Sequence, residues 1–334
     1  MLKIIINDIR YFGVKTLCRH AVAKLTGDRE QIEKYWLAKQ VAGERLTLEQ
    51  IKWLSREAYL KAKGTEMHWD APQTFDEKIR WGMLYDATPL KTRLVDKYLA
   101  RDYVAKKIGV GYTVALLGVY NCFDEIDFEK LPEQFVLKLN NGSGMNIVVK
   151  DKAKLDKVEA KKRFDRWMKL NFAYLHFEMQ YRDVPQKIIA EEYIEQMDGN
   201  LYDYKFHCAD GKVFCCQVIG DRDLESHKAK QAFFDRDWKW LDISAGCYPA
   251  YNKMPEKPEK WEEMLRIAET LAEGFWYVRL DLFFTGEHIY FSEFTFTPNA
   301  GLHPHFSPKE LDLEWGRKLK LPKPYELEIP KRQK

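Results

Sequence analysis

Two acidic side chains, Asp281 and Glu293, lie on consecutive predicted strands in the C-terminal part of the chain. If residues 286–288 form a three-residue hairpin loop, Asp281 faces Glu293 across the ladder, and Arg279 faces Thr295 on the same side of the sheet. Directly opposed carboxylates have Cβ atoms about 4.5–5.5 Å apart and repel each other. Magnesium takes oxygen ligands from one or two carboxylates together with substrate phosphates, and would remove this repulsion. The spacing therefore predicts a magnesium site for phosphate chemistry.

Two other interpretations of this acidic pair remain open. In the first, Arg279 joins Asp281 or Glu293 in a surface ion network. In the second, the two carboxylates cleave a glycosidic bond, although no nearby feature indicates a sugar cleft. The other face of both strands is apolar, so burial fixes the register; its residues are Leu280, Leu282, Phe294 and Phe296.

Residues 140–144 form a glycine-rich loop, Asn-Asn-Gly-Ser-Gly, between two predicted strands at 135–140 and 146–150. A loop between two strands cannot be the strand-to-helix loop of a P-loop or dinucleotide fold, and neither of those motifs occurs. Its consecutive backbone N–H groups can still wrap a phosphate. Lys138 precedes the loop on the face opposite the apolar residues of its strand, and Lys150 ends the second strand. An ordinary hairpin turn with two solvated lysines is the competing interpretation.

The composition sets limits on this chemistry. The chain has 334 residues, which suggests two or three lobes at roughly 150 residues per domain, and a formal net charge of +3. A near-neutral total gives no global field for nucleic acid, so phosphate binding must depend on a few placed cations. The longest stretch without a charged side chain, residues 108–123, is shorter than the ~18 residues of a membrane span. No N-terminal run is typical of a cleavable signal, which predicts a cytoplasmic protein.

Hydrophobic periodicity predicts the elements that carry these residues. Apolar residues at helical spacing predict helices up to about residue 62, from Thr74 onwards, and over 90–108. Alternating patterns predict strands over 135–140, 146–150, 187–190, 204–208, 212–218, 277–284 and 288–291. Further helices are predicted over about 154–170, 258–272 and 308–319. Hairpins with intervening helices are typical of an α+β fold.

The first predicted helix is basic. Six charged residues lie within residues 1–25, five of them positive: Lys3, Arg10, Lys15, Arg19 and Lys24, against Asp8. Such a helix can rest on the anionic inner face of a membrane, dock on a partner such as glycosyltransferase machinery, or pack on its own domain. The sequence leaves these three interpretations open.

In their order along the chain, these features resemble the TupA-like branch of the ATP-grasp superfamily. That branch is named for teichuronopeptide biosynthesis and occurs among bacterial genes for capsule and other surface polysaccharides. The motifs that carry the resemblance extend over roughly residues 74–321. They are Thr74-Phe-Asp-Glu-Lys78, Leu94-Val-Asp-Lys-Tyr98 with Arg101, Tyr103, Val104 and Gly109, Phe135-Val-Leu-Lys138 with the glycine loop, Ala190-Glu-Glu-Tyr-Ile194, Asp203-Tyr-Lys-Phe206, and Arg279-x-Asp281 with Glu293-x-Thr295.

The resemblance implies an α+β ATP-grasp fold, in which two lobes clasp ATP, together with a helical N-terminal extension. The extension would occupy residues 1–73, followed by a helical segment at 74–134. The N-lobe, with the glycine loop and the hinge, would occupy 135–206. The C-lobe with the metal site would occupy 207–322, and 323–334 would form a tail.

The resemblance also implies roles for individual residues. Lys97, Lys138 and Lys205 would contact the phosphates of ATP, and Arg279 and Lys138 would be the catalytic groups. The glycine loop would close over the phosphates through Asn141, Gly142, Ser143 and Gly144. The hinge that holds the adenine would consist of Glu191, Glu192, Tyr193 and Ile194, with Asp203 near the ribose. The ligands of Mg²⁺ would be Asp281, Glu293 and Thr295.

One position departs from many ATP-grasp ligases, which have Asn where this chain has Thr295. The number of metal ions is therefore open. Three further side chains are candidate substrate contacts: Arg222 and His227 in a basic loop, and His303 after Gly301, where His305 follows. Solvated or bystander side chains are the alternative for all of them.

The chemistry that the resemblance implies is ADP-forming ligation of a carboxylate to an amine through an acylphosphate, with ATP and Mg²⁺ as cofactors. The expected reaction attaches an amino acid by an amide bond to a uronic acid of a surface polysaccharide or its precursor. A glycosyltransferase and a sugar kinase in the same biosynthesis are the alternatives. No side-chain constellation typical of nucleophilic catalysis competes with this interpretation.

Overall fold

The computed structural model describes residues 2–194, 201–221, 229–246 and 248–327. The helices are α1 (Leu2–Thr26), α2 (Arg29–Gly43), α3 (Leu48–Lys63), α4 (Phe75–Tyr85), α5 (Pro89–Val95), α6 (Ala100–Ile108), α7 (Lys157–Trp167), α8 (Ala173–His176), α9 (Trp261–Ala272) and α10 (Leu311–Lys318). The strands are β1 (Leu116–Tyr120), β2 (Phe135–Leu139), β3 (Asn146–Val149), β4 (Ile188–Glu192), β5 (Asp203–Ala209), β6 (Lys212–Gly220), β7 (Lys230–Phe234), β8 (Trp240–Leu241), β9 (Ser244–Ala245), β10 (Tyr277–Phe284), β11 (Ile289–Thr295) and β12 (Phe306–Ser307).

The smaller lobe is built on a four-stranded antiparallel sheet with the strand order β1-β4-β2-β3. Along β2, buried residues alternate with partly exposed ones, as a half-buried strand requires. Phe135, Leu137 and Leu139 face a core that Phe164 of α7 helps to fill. Lys138 is therefore on the opposite face, as predicted.

The larger lobe is built on a six-stranded antiparallel sheet with the order β11-β10-β5-β6-β7-β8. One face of this sheet packs on α9, whose Trp261 lies 5.3 Å from the ring of Phe206. The other face is apolar at one end, where Trp315 of α10 and Phe75 of α4 cover Tyr277. The remainder of that face carries polar and charged side chains, which form the candidate site.

The N-terminal helices are joined to the larger lobe through α3 and α4. Thr74 caps α4 in a capping box with Glu77, as predicted, and its hydroxyl lies 3.2 Å from that of Tyr59 in α3. Arg80 of α4 donates a hydrogen bond of 3.0 Å to the carbonyl of Ser55 in α3. These hydrogen bonds join α3 to α4, and the boundary at residue 73 stays a prediction.

The predicted α+β architecture is confirmed, with two local corrections. The helix predicted over 90–108 is two helices, because the carboxylate of Asp96 accepts hydrogen bonds from the N–H groups of Tyr98 and Leu99 and ends α5. Five short strands, β1, β7, β8, β9 and β12, were not predicted, since none shows a long alternating pattern. Within the described residues, no helix is both long and apolar enough to cross a membrane.

Candidate active site

The hairpin β10–β11 places the two carboxylates opposite each other. Asp281 pairs with Glu293, and Arg279 pairs with Thr295, as the sequence predicts. The route to this register is different, because the strands pair already at Phe284 and Ile289, and a bulge between Asp281 and Leu282 shifts the ladder by one residue. The bulge therefore restores the register that a three-residue loop was expected to give.

Asp281 is the centre of a charged cluster. Its side chain is 1% exposed and accepts hydrogen bonds from Nε of Arg279 at 2.7 Å and from Nη2 at 2.8 Å. The ammonium of Lys205, on the neighbouring strand β5, is paired with the same carboxylate and lies 3.5 Å from Asp203. Burial alone would raise the pKa of Asp281, but the two cations lower it well below the ordinary value. The aspartate is therefore ionised, as a metal ligand must be.

Glu293 is more accessible, with 29% of its side chain exposed. The hydroxyl of Thr295 donates to it at 3.2 Å and accepts a hydrogen bond of 3.1 Å from Arg279. Thr295 therefore orients the carboxylate of Glu293, and the role of its hydroxyl as a metal ligand stays a prediction. The carboxylate also lies 3.4 Å from the ammonium of Lys97.

The donor set fits Mg²⁺ bound to phosphates. No cluster of three or more His, Cys, Asp or Glu side chains suited to a metal ion occurs in the described part of the chain. Two facing carboxylates remain, and Mg²⁺ is typically held by one or two carboxylates with the other positions filled by substrate phosphates and water. Asp281 and Glu293 would therefore hold the ion only together with a phosphate ligand.

Lys97 connects the carboxylate pair with the glycine loop. It lies in the break between α5 and α6, where its backbone N–H donates to the carbonyl of Asn140 at 2.7 Å. Its ammonium donates to the carbonyl of Gly142 at 2.8 Å and also faces Glu293. The break that sequence periodicity missed is therefore what brings this lysine between the two lobes.

The glycine loop is a hairpin tip between β2 and β3, as predicted. Asn140 is fully buried and fixes its base, because its side chain donates to the carbonyl of Pro185 at 2.9 Å and accepts from the N–H of Lys187 at 2.8 Å. Gly142 and Gly144 both have positive φ, 78° and 71°. Side chains other than glycine rarely adopt this conformation, so the loop requires glycine at both positions.

The two glycines provide a matched pair of substitutions. A Cβ at Gly142 would lie 2.9 Å from the ring of Phe172, whereas a Cβ at Gly144 would have no atom within 4 Å. Both Gly→Ala changes strain the backbone by about 1 kcal/mol, and only Gly142→Ala also displaces the loop. We expect Gly142→Ala to weaken nucleotide binding about 10-fold more than Gly144→Ala in a calorimetric titration. Equal losses would show that backbone strain alone determines the effect.

Lys138 of β2 and Glu191 of β4 form an ion pair on one face of the smaller sheet. The ammonium of Lys138 lies 2.5 Å from the carboxylate of Glu191, which Arg101 of α6 also approaches to 3.3 Å. Arg101 donates in addition to the carbonyl of Val114 at 2.6 Å. The sequence places Arg101 in a family motif but gives it no role in the site, since a charged residue on a helix gives no signal of its long-range partner.

The hinge residues lie beside a cavity between the lobes. Glu192 ends β4, and its N–H donates to the carbonyl of Ala115 at 3.0 Å. The cavity has a volume of about 360 Å³ and is lined by Val114, Ala115, Glu192, Tyr193, Ile194, Thr285, Glu287 and Tyr290. A larger hollow of about 700 Å³ lies near Lys150 and shares Glu192 and Tyr193 with the smaller cavity. The smaller cavity is lined by residues of both lobes, and its role as the adenine pocket stays a prediction.

Of the three predicted substrate contacts, His303 lies in the part of the chain that the structure describes. Arg222 and His227 lie outside the described residues. His303 is 3% exposed, and its Nδ1 and backbone N–H lie 2.6 and 3.0 Å from the carboxylate of Asp76 in α4. These contacts correct the prediction for His303, because a buried ring bonded to α4 serves the structure and not an acceptor. His305 lies at 3.3 Å from the hydroxyl of Ser244.

A buried polar cluster beyond the end of β11 was also missed. The hydroxyl of Thr297 donates to the carboxylate of Glu178 and accepts a hydrogen bond of 2.7 Å from the side-chain amide of Gln180. The sequence offered one signal for this cluster: Thr297 follows Thr295 by two residues, and such residues lie on the same face of an extended segment. This cluster ties the end of the metal-site strand to residues 178–181.

Glu178 gives a prediction for the pH dependence of stability. Burial raises the pKa of Glu178 to about 7, although Thr297 and Arg80 act to lower it. Between the unfolded value of 4.5 and about 7, the folded protein keeps a proton that the unfolded chain has lost, so stability falls as the pH rises. A glutamine at this position would not titrate, so the free energy of unfolding of Glu178→Gln should rise relative to that of the wild type by up to about 3 kcal/mol between pH 4.5 and pH 8. Urea unfolding at both pH values measures this difference. Glu66→Gln, at an exposed carboxylate, should show no such gain; an equal gain in both variants would contradict the assignment.

Comparison with known proteins identifies the class. The two antiparallel sheets with their intervening helices are the α+β fold of the ATP-grasp class. The chain belongs to the TupA-like ATPgrasp family, whose model matches residues 77–320. The resemblance found in the sequence is thereby confirmed. No curated protein matches the chain.

Three solved structures are similar in part. The ATP-grasp ligase PsnB complexed with minimal precursor has 10% identity and a TM-score of 0.35 over 63% of this chain and 55% of that chain. The D-alanine–D-alanine ligase of Bacillus anthracis has 17% identity and a TM-score of 0.39 over 68% and 67% of the two chains. The corresponding ligase of Helicobacter pylori has 18% identity and a TM-score of 0.39 over 68% and 61%. This chain thus spans little more than half the length of PsnB.

Proposed function

We propose that this protein is an ATP-dependent carboxylate–amine ligase that works through an acylphosphate. The observation that carries the proposal is the position of Lys97, which bonds the glycine loop through Gly142 and faces the carboxylate pair through Glu293. A triphosphate that lies under the loop would thus reach the metal ligands of the other lobe. Membership of the ATP-grasp family supports the same chemistry.

In this proposal the chain's own residues bind and orient the reactants. Lys138 and Lys205 exchange their carboxylate partners for phosphate oxygens, and the adenine occupies the cavity beside Tyr193 and Ile194. Arg279 stabilises the charge that spreads over the transferred phosphoryl group and the developing oxyanion. Bound Mg²⁺ supplies neutralisation of charge between triphosphate and carboxylate. The acylphosphate then loses phosphate when the amine attacks its carbonyl carbon and forms the amide.

The substrate proposed is a uronic acid of a bacterial capsular or other surface polysaccharide, or its precursor, and the nucleophile is an amino acid. The family assignment is the support for this choice. Because the net charge of the chain is only +3, a few placed cations would have to bind such an acid, and not the overall charge of the protein. The placement of the basic loop with Arg222 and His227 next to this acceptor stays a prediction.

The test is an assay of nucleotide products. Purified protein with ATP, Mg²⁺, a panel of uronates and a panel of amino acids should release ADP and phosphate in equal amounts, and only when both substrates are present. Release of AMP and pyrophosphate would contradict the acylphosphate mechanism. A phosphorylated sugar formed without amine would favour the sugar kinase, and turnover of a sugar nucleotide without ATP would favour the glycosyltransferase.

The site of action proposed is the cytoplasmic side of the membrane, and α1 supports contact with an anionic surface. One face of α1 packs on α2, where the rings of His20 and Tyr35 stack at 4.5 Å. The opposite face exposes three apolar residues, Val14, Val22 and Leu25, among three exposed cations, Lys15, Arg19 and Lys24. Apolar residues flanked by lysine and arginine are typical of helices that bind anionic lipid. Sedimentation with vesicles of phosphatidylglycerol and phosphatidylcholine, compared with phosphatidylcholine alone, tests this contact.

A further inference from the structure

Tyr181 occupies a position between the two halves of the candidate site. It ends the 3-10 turn Met179–Tyr181, where its N–H donates to the carbonyl of Glu178 at 3.0 Å. The turn is fixed to the end of the metal-site strand through Thr297, which Gln180 and Glu178 bond on either side. The position of the tyrosine relative to β11 is therefore set by buried hydrogen bonds.

The ring of Tyr181 is also connected with the glycine loop. Its centroid lies 5.2 Å from that of Phe172, in an edge-to-face arrangement. Phe172 in turn lies against Gly142, because a Cβ at that glycine would be 2.9 Å from the Phe172 ring. Tyr181 is thus connected through Phe172 with the loop expected to cover the phosphates, and through its own turn with the end of the strand that carries the carboxylate pair.

The hydroxyl of Tyr181 has no hydrogen-bond partner among residues 2–194, 201–221, 229–246 and 248–327. The ring is partly buried and packs against the core of the larger lobe. Tyrosines in such positions normally direct their hydroxyl to a polar partner. Burial and the charges of Glu178, Glu293 and Asp281 raise the pKa of the phenol well above its usual value, whereas Arg279 acts to lower it. The phenol is therefore a neutral donor at physiological pH.

We propose that the Tyr181 hydroxyl is a ligand-binding group of the active site and donates a hydrogen bond to the γ-phosphoryl group of ATP. This inference rests on the proposed function for the identity of the ligand. Arg279 and Tyr181 would then bind the transferred group through a charged and a neutral donor. The tyrosine makes no covalent bond and gives up no proton.

The test compares Tyr181→Phe with Tyr103→Phe. Both changes remove one hydroxyl and keep the ring, and Tyr103 packs edge-to-face at 5.8 Å on Phe294, which is on the opposite side of the same strand from Glu293. A hydrogen bond to a charged group is worth about 10- to 100-fold in binding or rate. We expect Tyr181→Phe to lose 10- to 100-fold in kcat for ADP release, with KM for ATP changed less than 3-fold, and Tyr103→Phe to stay within 2-fold of the wild type in both.

A measurement without turnover separates this inference from the proposed function. Binding of the Mg²⁺ complex of a non-hydrolysable ATP analogue should change the ultraviolet difference spectrum of neutral tyrosine in the wild type and in Tyr103→Phe, and this change should be smaller in Tyr181→Phe. If the spectral change is smaller in Tyr181→Phe but the wild-type protein releases no ADP with any substrate pair, the ligase function is contradicted and the contact between Tyr181 and the phosphoryl group is supported. An unaltered change, or a kcat within 2-fold of the wild type, would overturn the role of Tyr181.

Discussion

Asp281→Asn and Glu293→Gln are both expected to reduce ADP release about 1,000-fold or more, but only Asp281→Asn should destabilise the fold. Each change removes one of two proposed ligands of Mg²⁺, and the ion contributes several kcal/mol to stabilising the transition state. The stability effects differ because the environments differ. Asp281 is 1% exposed and neutralises Arg279 and Lys205, whose side chains are 14% and 12% exposed.

Removing one member of a buried ion pair leaves the other charge without compensation, at a cost of about 3–5 kcal/mol. Asp203 and Glu293 lie 3.5 and 3.7 Å from the two cations and offset part of this cost, so about 3 kcal/mol is expected for Asp281→Asn. Glu293 is 29% exposed, and its substitution should cost less than about 1 kcal/mol. Urea unfolding and the ADP assay on both variants measure the two effects.

The result that would contradict this assignment is specific. If Glu293→Gln keeps magnesium-dependent turnover near the wild-type rate, the carboxylate pair is a structural ion network, which is the alternative that the sequence left open. If both variants are inactive and equally unstable, the loss of activity follows from unfolding and says nothing about the metal. A Glu293→Gln variant that is inactive but as stable as the wild type would therefore support the role of Glu293 as a metal ligand.

The sequence could predict those parts of the site that lie on strands. Alternation of apolar and polar residues fixes which face each strand buries, and this was sufficient to place Asp281 opposite Glu293 and Lys138 away from the core. The partner of Asp281 also depended on an expected three-residue loop, and the structure reaches the same pair through the bulge next to Asp281. The order of the motifs along the chain then gave the family, since ATP-grasp motifs are spread over a long segment.

The sequence could not predict contacts between elements that are distant along the chain. Glu191 was assigned to the hinge through its backbone, but its side chain is bound by Lys138 and by Arg101 of α6. His303 follows the metal strand closely in sequence, yet it is buried on Asp76 of α4. In both cases tertiary packing decides the partner, and local spacing carries no information about it.

One regularity emerges only from the three-dimensional contacts. Each lysine expected to bind phosphate is paired with a carboxylate: Lys97 with Glu293, Lys138 with Glu191 and Lys205 with Asp281. The near-neutral charge of the chain is thus reproduced inside the site. Binding of a triphosphate would require these lysines to exchange partners, and Mg²⁺ would compensate the carboxylates that they leave.

Lys138→Gln is expected to lower kcat/KM for ATP about 100-fold or more. Loss of one preorganised cation at a phosphoryl group typically costs on the order of 10²–10³-fold. Lys150→Gln is the matched control, because Lys150 follows the other strand of the same hairpin, is exposed, and has its ammonium 6.0 Å from the centre of the Tyr193 ring. We expect this variant to stay within about 3-fold of the wild type in the same assay, since an exposed cation interacts weakly.

Stability separates a lost phosphate contact from a lost structural pair. When Lys138 is replaced, Glu191 keeps Arg101 at 3.3 Å, so its carboxylate is still compensated. We therefore expect Lys138→Gln to change the free energy of unfolding by less than about 1 kcal/mol without nucleotide, and to lose most of the stabilisation that ATP and Mg²⁺ give the wild type. Equal stabilisation by ATP in both proteins would assign Lys138 to Glu191 alone and would remove it from the phosphate site.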